Sequence, residues 1–67
     1  MGLERVTVED AEAGERLDRV LAARLAAYSR TRLKRLVETG QVRLEGATIT
    51  DPSLRVKPGQ SFLVDVP

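Results

Sequence analysis

The chain has 67 residues and a formal net charge of +1, with 42% hydrophobic and 31% charged residues. A chain of this length forms one small domain with a thin core, and its composition is typical of a folded domain rather than a disordered one. It contains no cysteine and no histidine, which excludes disulfides and removes the commonest general base and zinc ligand. No long apolar run and no secretory leader is present, so we expect a cytoplasmic protein without a membrane segment.

The first part of the chain predicts a short strand, a loop and a helix. Val6 and Val8 alternate with polar neighbours, as in a strand, and the polar stretch 9–14 predicts a loop. A helix is predicted over about 16–26, because apolar residues recur there at helical spacing and alanines add helix propensity. The apolar residues at this spacing are Leu17, Val20, Leu21, Leu25 and Tyr28.

A second helix is predicted to begin after Ser29, whose side chain is a favoured N-cap. Leu33, Leu36 and Val37 form its apolar stripe. Gly40 stands where a residue in the left-handed conformation commonly ends a helix.

Beyond Gly40 the apolar residues alternate, which predicts strands. The predicted elements are a hairpin over 42–50 with a tight turn at Gly46, a turn over 51–53, a type II turn at Pro58-Gly59 and a strand over 61–66. The order strand, helix, helix, strands indicates an α+β domain with two helices packed on a small antiparallel sheet.

Charge is segregated along the chain. Residues 1–15 carry a net charge of −4, residues 16–35 carry +6 and residues 36–67 carry −1. The electrostatic field of such a charge distribution can steer a polyanion although the net charge of the whole chain is near zero. A solvated helix face rich in arginine has the same pattern, so charge alone leaves both interpretations open.

The basic residues of the second helix flank its buried stripe. At about 100° per residue they divide between its two sides, Arg30 with Lys34 and Arg32 with Arg35. Cations near a helix N-terminus oppose the helix dipole, which favours a functional reason for their presence. Arg16 and Arg19 are three residues apart, so we expect them to share a face of the first helix.

Three segments of the chain resemble the alpha-L RNA-binding domain, known from the fourth protein of the small ribosomal subunit. They are GERLDRVLA at 14–22, YSRTRLKRLVETGQVRLEG at 28–46 and RVKPGQSFLVDVP at 55–67. With the lead-in VTVEDAEAGERLD, the chain is most similar to the N-terminal module of the large-subunit ribosomal RNA pseudouridine synthases. The resemblance implies that ribosomal RNA is the partner and that the chain is an appendage of such an enzyme, without its catalytic domain.

The resemblance also implies which residues face RNA: the arginine of R-L-D, the Ser-Arg pair, the basic residues of the second helix and two secondary positions after it. Together with Arg19, the predicted RNA-binding residues are Arg16, Arg19, Ser29, Arg30, Arg32, Lys34, Arg35, Gln41 and Arg43. Ser29 is expected to act mainly as a helix cap. The family usually has Asn before the hairpin glycine, where this chain has Glu45, so a looser hairpin or a different turn is expected.

We expect one RNA-binding domain with three parts: an acidic lead-in over 1–15, a helix-helix-hairpin core over 16–46 and closing strands over 47–67. No catalytic residue, metal site or cofactor is expected, because the aspartates have no clustered partners in the sequence and no nucleotide-binding loop is present. Asp18 is expected to pair with a nearby arginine or to cap a helix. Tyr28 and Phe62 are expected in the core, which favours recognition of phosphates and shape over base stacking.

Three other functions stay open. Two consecutive helices also fit a helix-turn-helix that binds duplex DNA. Alternatively, the basic face could meet an acidic protein partner, or the chain could act alone as a ribosome-associated RNA-binding factor. A monomer is expected, because no long apolar patch remains once the core is assigned.

Overall fold

Four strands and two helices follow the predicted order in the computed structural model, which describes residues 2–67. In chain order the elements are β1 (Gly2–Thr7), a 3₁₀ turn (Asp10–Glu12), α1 (Leu17–Arg24), α2 (Arg30–Glu38), β2 (Val42–Leu44), β3 (Ala47–Ile49) and β4 (Ser61–Val66).

The strands form one antiparallel sheet in the order β1-β4-β2-β3, with the last strand of the chain inside it. Phe62 of β4 pairs with Val6 of β1, and Val64 of β4 pairs with Val42 of β2. These four residues are buried, whereas Leu3, on the alternate positions of β1, is exposed. Because side chains alternate across a strand, the sheet has an inner face that packs against the helices and an outer face that does not. The predicted α+β class is confirmed.

The two helices bury their apolar stripes against the inner face. Leu17 of α1 and Leu33 and Val37 of α2 are fully buried in the same cluster as Phe62. Tyr28, in the link between the helices, is partly buried at the edge of this cluster. The predicted stripes and the core positions of both aromatic residues are therefore confirmed.

Helix α1 is shorter than the 16–26 that the sequence predicts. It covers Leu17–Arg24, and Leu25 leaves the helical region at φ −116° and ψ 59°. The Leu25 carbonyl then accepts the N–H of Tyr28 at 3.0 Å. This turn allows both Leu25 and Tyr28 to pack against the core, so tertiary packing overrides the helix propensity of the two alanines between them.

The acidic lead-in has more structure than the predicted strand and loop. Strand β1 begins at Gly2, before the alternating valines that predict it. The stretch 9–14 contains the 3₁₀ turn, where the Glu12 carboxylate accepts the backbone N–H of Glu9 at 2.9 Å.

Helix α2 ends at Glu38, and Gly40 follows in the left-handed conformation that the sequence predicts there. Gly40 has φ 83°, and its N–H donates to the Val37 carbonyl at 3.1 Å while the N–H of Gln41 donates to the Leu36 carbonyl at 2.9 Å. This pair of bonds is a Schellman motif, which satisfies the last carbonyls of the helix and turns the chain into β2.

The β2–β3 hairpin keeps a tight turn in spite of Glu45. Leu44 pairs with Ala47, so the turn has two residues, Glu45 at φ 49° and Gly46 at φ 86°. Positive φ at both central residues is the type I′ geometry. The expectation of a looser or different turn is therefore wrong: the glutamate adopts the left-handed conformation that asparagine adopts more readily.

Candidate nucleic-acid interface

Helix α1 begins after Arg16, which has extended backbone angles and no side-chain cap bond. The backbone N–H of Leu17 donates to the Leu54 carbonyl at 2.8 Å, and the N–H of Asp18 donates to the Pro52 carbonyl at 3.0 Å. The loop between β3 and β4 thus satisfies the first donors of α1, which are usually capped by a side chain. The Arg16 side chain is left free to make other contacts.

Asp18, in the first turn of α1, is a buried charged residue with only 2% of its surface exposed. Its carboxylate accepts from Arg16 Nε at 3.1 Å and from Arg16 Nη2 at 3.2 Å. Nη2 of Arg30, the first residue of α2, lies 3.9 Å from Asp18 Oδ2. One carboxylate therefore brings together two predicted RNA-binding arginines, and the expectation that Asp18 pairs with an arginine is confirmed. We call these three residues the Asp18 cluster.

Helix α2 begins next to the Asp18 cluster and is capped by Ser29, as predicted. The Ser29 hydroxyl oxygen accepts the backbone N–H of Arg32 at 3.1 Å. The backbone N–H groups of Arg30 and Thr31 find no acceptor within residues 2–67. These donors and the positive end of the helix dipole add to the positive potential at this point of the surface.

The basic residues of α2 differ in whether their side chains contact the rest of the protein. The guanidinium carbon of Arg32 lies 5.4 Å from the centre of the Tyr28 ring, and its Nη2 is 3.4 Å from the Pro67 carbonyl oxygen. Arg32 is therefore held against the protein. Lys34 and Arg35 are exposed and form no ion pair with any described residue.

Arg19 does not join the Asp18 cluster. Its Nε lies 3.8 Å from Glu15 Oε1 and its side chain is 72% exposed. Because Arg16 precedes the helix and binds Asp18, the face that helical spacing predicted for Arg16 and Arg19 does not form, and the two arginines have different partners.

Arg24, which the sequence did not single out, connects α1 to the acidic lead-in. Its Nη1 lies 2.8 Å from Glu12 Oε1 and 3.5 Å from Glu9 Oε2, and it donates to the Thr7 carbonyl at 3.0 Å. The charge of Arg24 is thus matched by acids within the protein.

Gln41 and Arg43 lie apart from the α2 cations. Arg43 forms a cross-strand row with Leu63 and Arg5 on the outer face of the sheet, opposite the helices. Gln41 borders a shallow hollow on the same face, together with Arg43 and Leu63. The sheet therefore separates these two predicted secondary contacts from the Asp18 cluster.

The loop that covers the start of α1 is organised by Asp51. Its Oδ1 accepts the hydroxyl of Ser53 at 2.6 Å and the backbone N–H of Ser53 at 2.9 Å. The hydroxyl bond, then the backbone bond and the charge of Arg16 hold the pKa of the Asp51 carboxyl below its ordinary value. The loop thus presents a carboxylate near Arg16.

Sequence reasoning missed the central place of Asp18. An aspartate in the first turn of a helix is already explained by the helix dipole, so nothing in the sequence indicated its burial.

Residues 2–67 hold no group of three or more acidic side chains that could bind a metal ion. Neither helix in the described part of the chain has the length and apolarity needed to cross a bilayer.

Two helices on an antiparallel sheet, with cations gathered where the helices begin, define a small α+β domain. The family model of the S4 domain matches residues 15–61, and the chain belongs to that family. The match includes the Asp18 cluster, α2 and the hairpin. The resemblance to the alpha-L domain of the small-subunit ribosomal protein is thereby confirmed.

The relatives of the chain are RNA pseudouridine synthases. It is 41% identical over 68 residues to ribosomal large subunit pseudouridine synthase D of Zymomonas mobilis, a match that covers 100% of this chain and 22% of that protein. It is 39% identical over 56 residues to the synthase D of Vibrio parahaemolyticus, covering 84% of this chain and 17% of that protein. A Synechocystis protein described as an uncharacterized RNA pseudouridine synthase is 38% identical over 60 residues, a match that covers 90% of this chain and 18% of that protein. The chain thus spans about a fifth of the length of these curated relatives.

Proposed function

We propose that this chain is a module that binds structured RNA, and ribosomal RNA in particular, through the surface formed by the start of α1 and by α2. The observation that carries the proposal is the Asp18 cluster, where two arginines meet at the start of the helix that carries the exposed Lys34 and Arg35, in an S4 domain. A-form RNA offers closely spaced phosphates and 2′-hydroxyls, and arginine binds phosphate with two parallel hydrogen bonds. Recognition by such a surface depends on shape and charge rather than on base sequence.

The proposed contacts fall into two groups. The main group surrounds the start of both helices and the exposed sides of α2, and comprises Arg16, Arg19, Ser29, Arg30, Arg32, Lys34 and Arg35. A second group, Gln41 and Arg43, lies on the outer face and would meet another segment of a folded RNA. We propose 16–46 as the RNA-binding core of a single domain, with 1–15 as the acidic lead-in and 47–67 as the closing strands.

We also propose that the module directs a pseudouridine synthase to its RNA. The similarity to enzymes named as ribosomal large subunit pseudouridine synthases supports this role, and the chain matches about a fifth of their length. We propose further that the protein is a cytoplasmic monomer.

The reading frame beyond Pro67 tests the link to a synthase. A catalytic domain encoded there supports an enzyme appendage, and a stop codon would favour an independent ribosome-associated factor.

The direct test is a binding titration of the 67-residue chain at several salt concentrations. The ligands are a stem-loop of ribosomal RNA and a DNA duplex of equal length. We expect preference for the RNA, with log affinity falling against log salt by about 0.7–0.9 for each phosphate contacted. The double variant Arg30→Ala, Arg35→Ala is expected to lose most of this affinity.

The matched control is the double variant Arg5→Ala, Lys57→Ala. It removes the same charge at positions outside the main group of proposed contacts, on the outer face and in the loop before β4, so it is expected to retain most of the affinity for RNA. Preference for duplex DNA would instead indicate a helix-turn-helix. Equal, weak binding to both ligands that neither variant changes would mean that the arginines are a solvated face or that the partner is a protein.

A further inference from the structure

Asp18 places a negative charge in the middle of the surface proposed to bind phosphates. On charge alone, a carboxylate at this position opposes a polyanion, and its removal would strengthen binding. However, Asp18 is only 2% exposed, and each of its carboxylate oxygens lies within ion-pair distance of an arginine. A buried carboxylate of this kind acts on its neighbours rather than on the ligand.

The contact with Asp18 uses one edge of the Arg16 guanidinium, the edge formed by Nε and Nη2. A guanidinium has five N–H donors in a fixed plane, and its other edge, formed by Nη1 and Nη2, can bind a second oxyanion. Among residues 2–67 the Arg16 side chain donates hydrogen bonds only to Asp18, through Nε and Nη2, and 40% of it is exposed. The Asp51 carboxylate lies near Arg16 but forms no hydrogen bond or ion pair with it. Asp18 therefore fixes the orientation of Arg16 while leaving this outer edge open.

Arg30 approaches the same carboxylate from the start of α2. Its Nη2 lies 3.9 Å from Asp18 Oδ2, and its side chain is 62% exposed. Two guanidinium groups this close to one another would repel without an anion between them. The Asp18 charge offsets that repulsion and draws an exposed, flexible side chain toward Arg16.

We propose that Asp18 is a positioning residue for RNA binding, which holds Arg16 and Arg30 side by side so that they engage neighbouring phosphates of the RNA backbone. This inference rests on the proposed function. Ordering a long side chain on binding costs about two- to twelvefold in affinity, a cost that is avoided when the side chain is already held in place.

The test is Asp18→Asn, with Asp10→Asn in the exposed acidic lead-in as the matched control. Both substitutions remove one negative charge. We expect Asp18→Asn to weaken binding to the ribosomal RNA stem-loop by about tenfold, whereas Asp10→Asn leaves binding unchanged or slightly tighter. Arg30→Ala is also expected to cost less affinity in the Asp18→Asn background than in the wild-type chain. Asp18→Asn binding as tightly as the wild type, or more tightly, would overturn the inference.

A second measurement covers the case in which Asp18→Asn does not fold, since breaking a buried ion pair is strongly destabilising. The ¹⁵N-resolved NMR signal of the Arg16 Nε–H is followed in the wild-type chain, free and saturated with the RNA. We expect it to keep the shift and the slow exchange of a hydrogen-bonded group in both states. Loss of this bond in the complex would show that Arg16 leaves Asp18 to bind RNA, which contradicts the inference.

The two proposals fail in different ways. A wild-type chain with no preference for RNA overturns the proposed function and this inference with it. A wild-type chain that prefers RNA, with Asp18→Asn binding equally well, leaves the proposed function standing and overturns the positioning role alone.

Discussion

The basic side chains at the start of α1 and along α2 differ in how firmly they are held. Arg16 makes a two-point contact with a buried carboxylate, and Arg32 lies over the ring of Tyr28. Lys34 has no ion-pair partner in the described chain. Exposed ion pairs contribute only about 0–1 kcal/mol, so the buried acid, rather than the count of surface pairs, accounts for how firmly Arg16 is held.

Asp51 gives a prediction about pH. Its pKa is lowered in the folded chain, chiefly by the Ser53 hydroxyl and then by the Ser53 N–H. A lowered pKa means that the carboxylate stabilises the fold above its unfolded pKa, and that this stabilisation is lost as the pH falls through the folded pKa. Asp51→Asn is therefore expected to be less stable than the wild type at pH 7, and this difference is expected to shrink in strong acid.

The measurement is urea unfolding of both chains at pH 7 and at an acidic pH low enough to protonate the wild-type carboxyl. Asp65→Asn serves as the control for the loss of one exposed acid. A difference in the free energy of unfolding that is the same at both pH values would show that the Asp51 charge has no part in stabilising the loop.

The elements end in different ways, and each ending has its own chemistry. Helix α1 is capped by backbone carbonyls of a distant loop, whereas α2 begins with the Ser29 hydroxyl and ends in a Schellman motif at Gly40. In the hairpin turn, by contrast, Glu45 adopts φ 49°, a left-handed conformation that glutamate does not favour. A left-handed conformation costs an ordinary L-residue about 1–2 kcal/mol, and asparagine less.

Glu45→Asn is therefore expected to stabilise the domain by up to about 1 kcal/mol, since Asn-Gly is the favoured pair for a type I′ turn. In a domain of this size, that gain raises the melting temperature by about 4–8 °C. Glu45→Gln is the control, because it removes the charge but keeps the conformational strain, and we expect little change. Equal melting temperatures for the two variants would mean that φ at this position costs nothing.

The elements also show where sequence reasoning works and where it stops. Local patterns predicted the stripes of both helices, the Ser29 cap and the end of α2 at Gly40, because each depends on residues a few positions apart. The early end of α1 depends on how Leu25 meets the core, and the burial of Asp18 depends on α2 and on a loop more than thirty residues away. The alternation of Val42, Arg43 and Leu44 already places Arg43 opposite the core, but the strands that flank it follow from the sheet order, which no local pattern encodes.

The whole molecule has an acidic side and a basic side. The lead-in carries Glu9, Asp10 and Glu12, and two of these acids contact Arg24. Most of the other basic groups lie where the helices begin and along α2, whereas Arg5 and Arg43 lie on the outer face of the sheet. A segregated charge distribution orients a polyanion during its approach, and the acidic side discourages contacts made in other orientations.

The double variant Glu9→Gln, Asp10→Asn tests this orientation effect and keeps the 2.8 Å contact between Arg24 and Glu12. It raises the net charge from +1 to +3. We expect tighter binding to both RNA and duplex DNA, and a smaller preference between them, in titrations at low salt. Unchanged affinities for both ligands would mean that the lead-in takes no part in electrostatic selection.

The capping of α1 by the loop before β4 has a consequence for how this domain can diverge. Surface loops ordinarily accept insertions and deletions more readily than helices do. Here the carbonyls of Pro52 and Leu54 accept hydrogen bonds from the backbone N–H groups of Asp18 and Leu17. The backbone N–H and the carbonyl of Val56 also form hydrogen bonds with the segment before α1. One inserted residue would shift these carbonyls out of register and disturb the arginine beside them. Among descendants of a common ancestor, the length of this loop should therefore vary as little as the length of a helix.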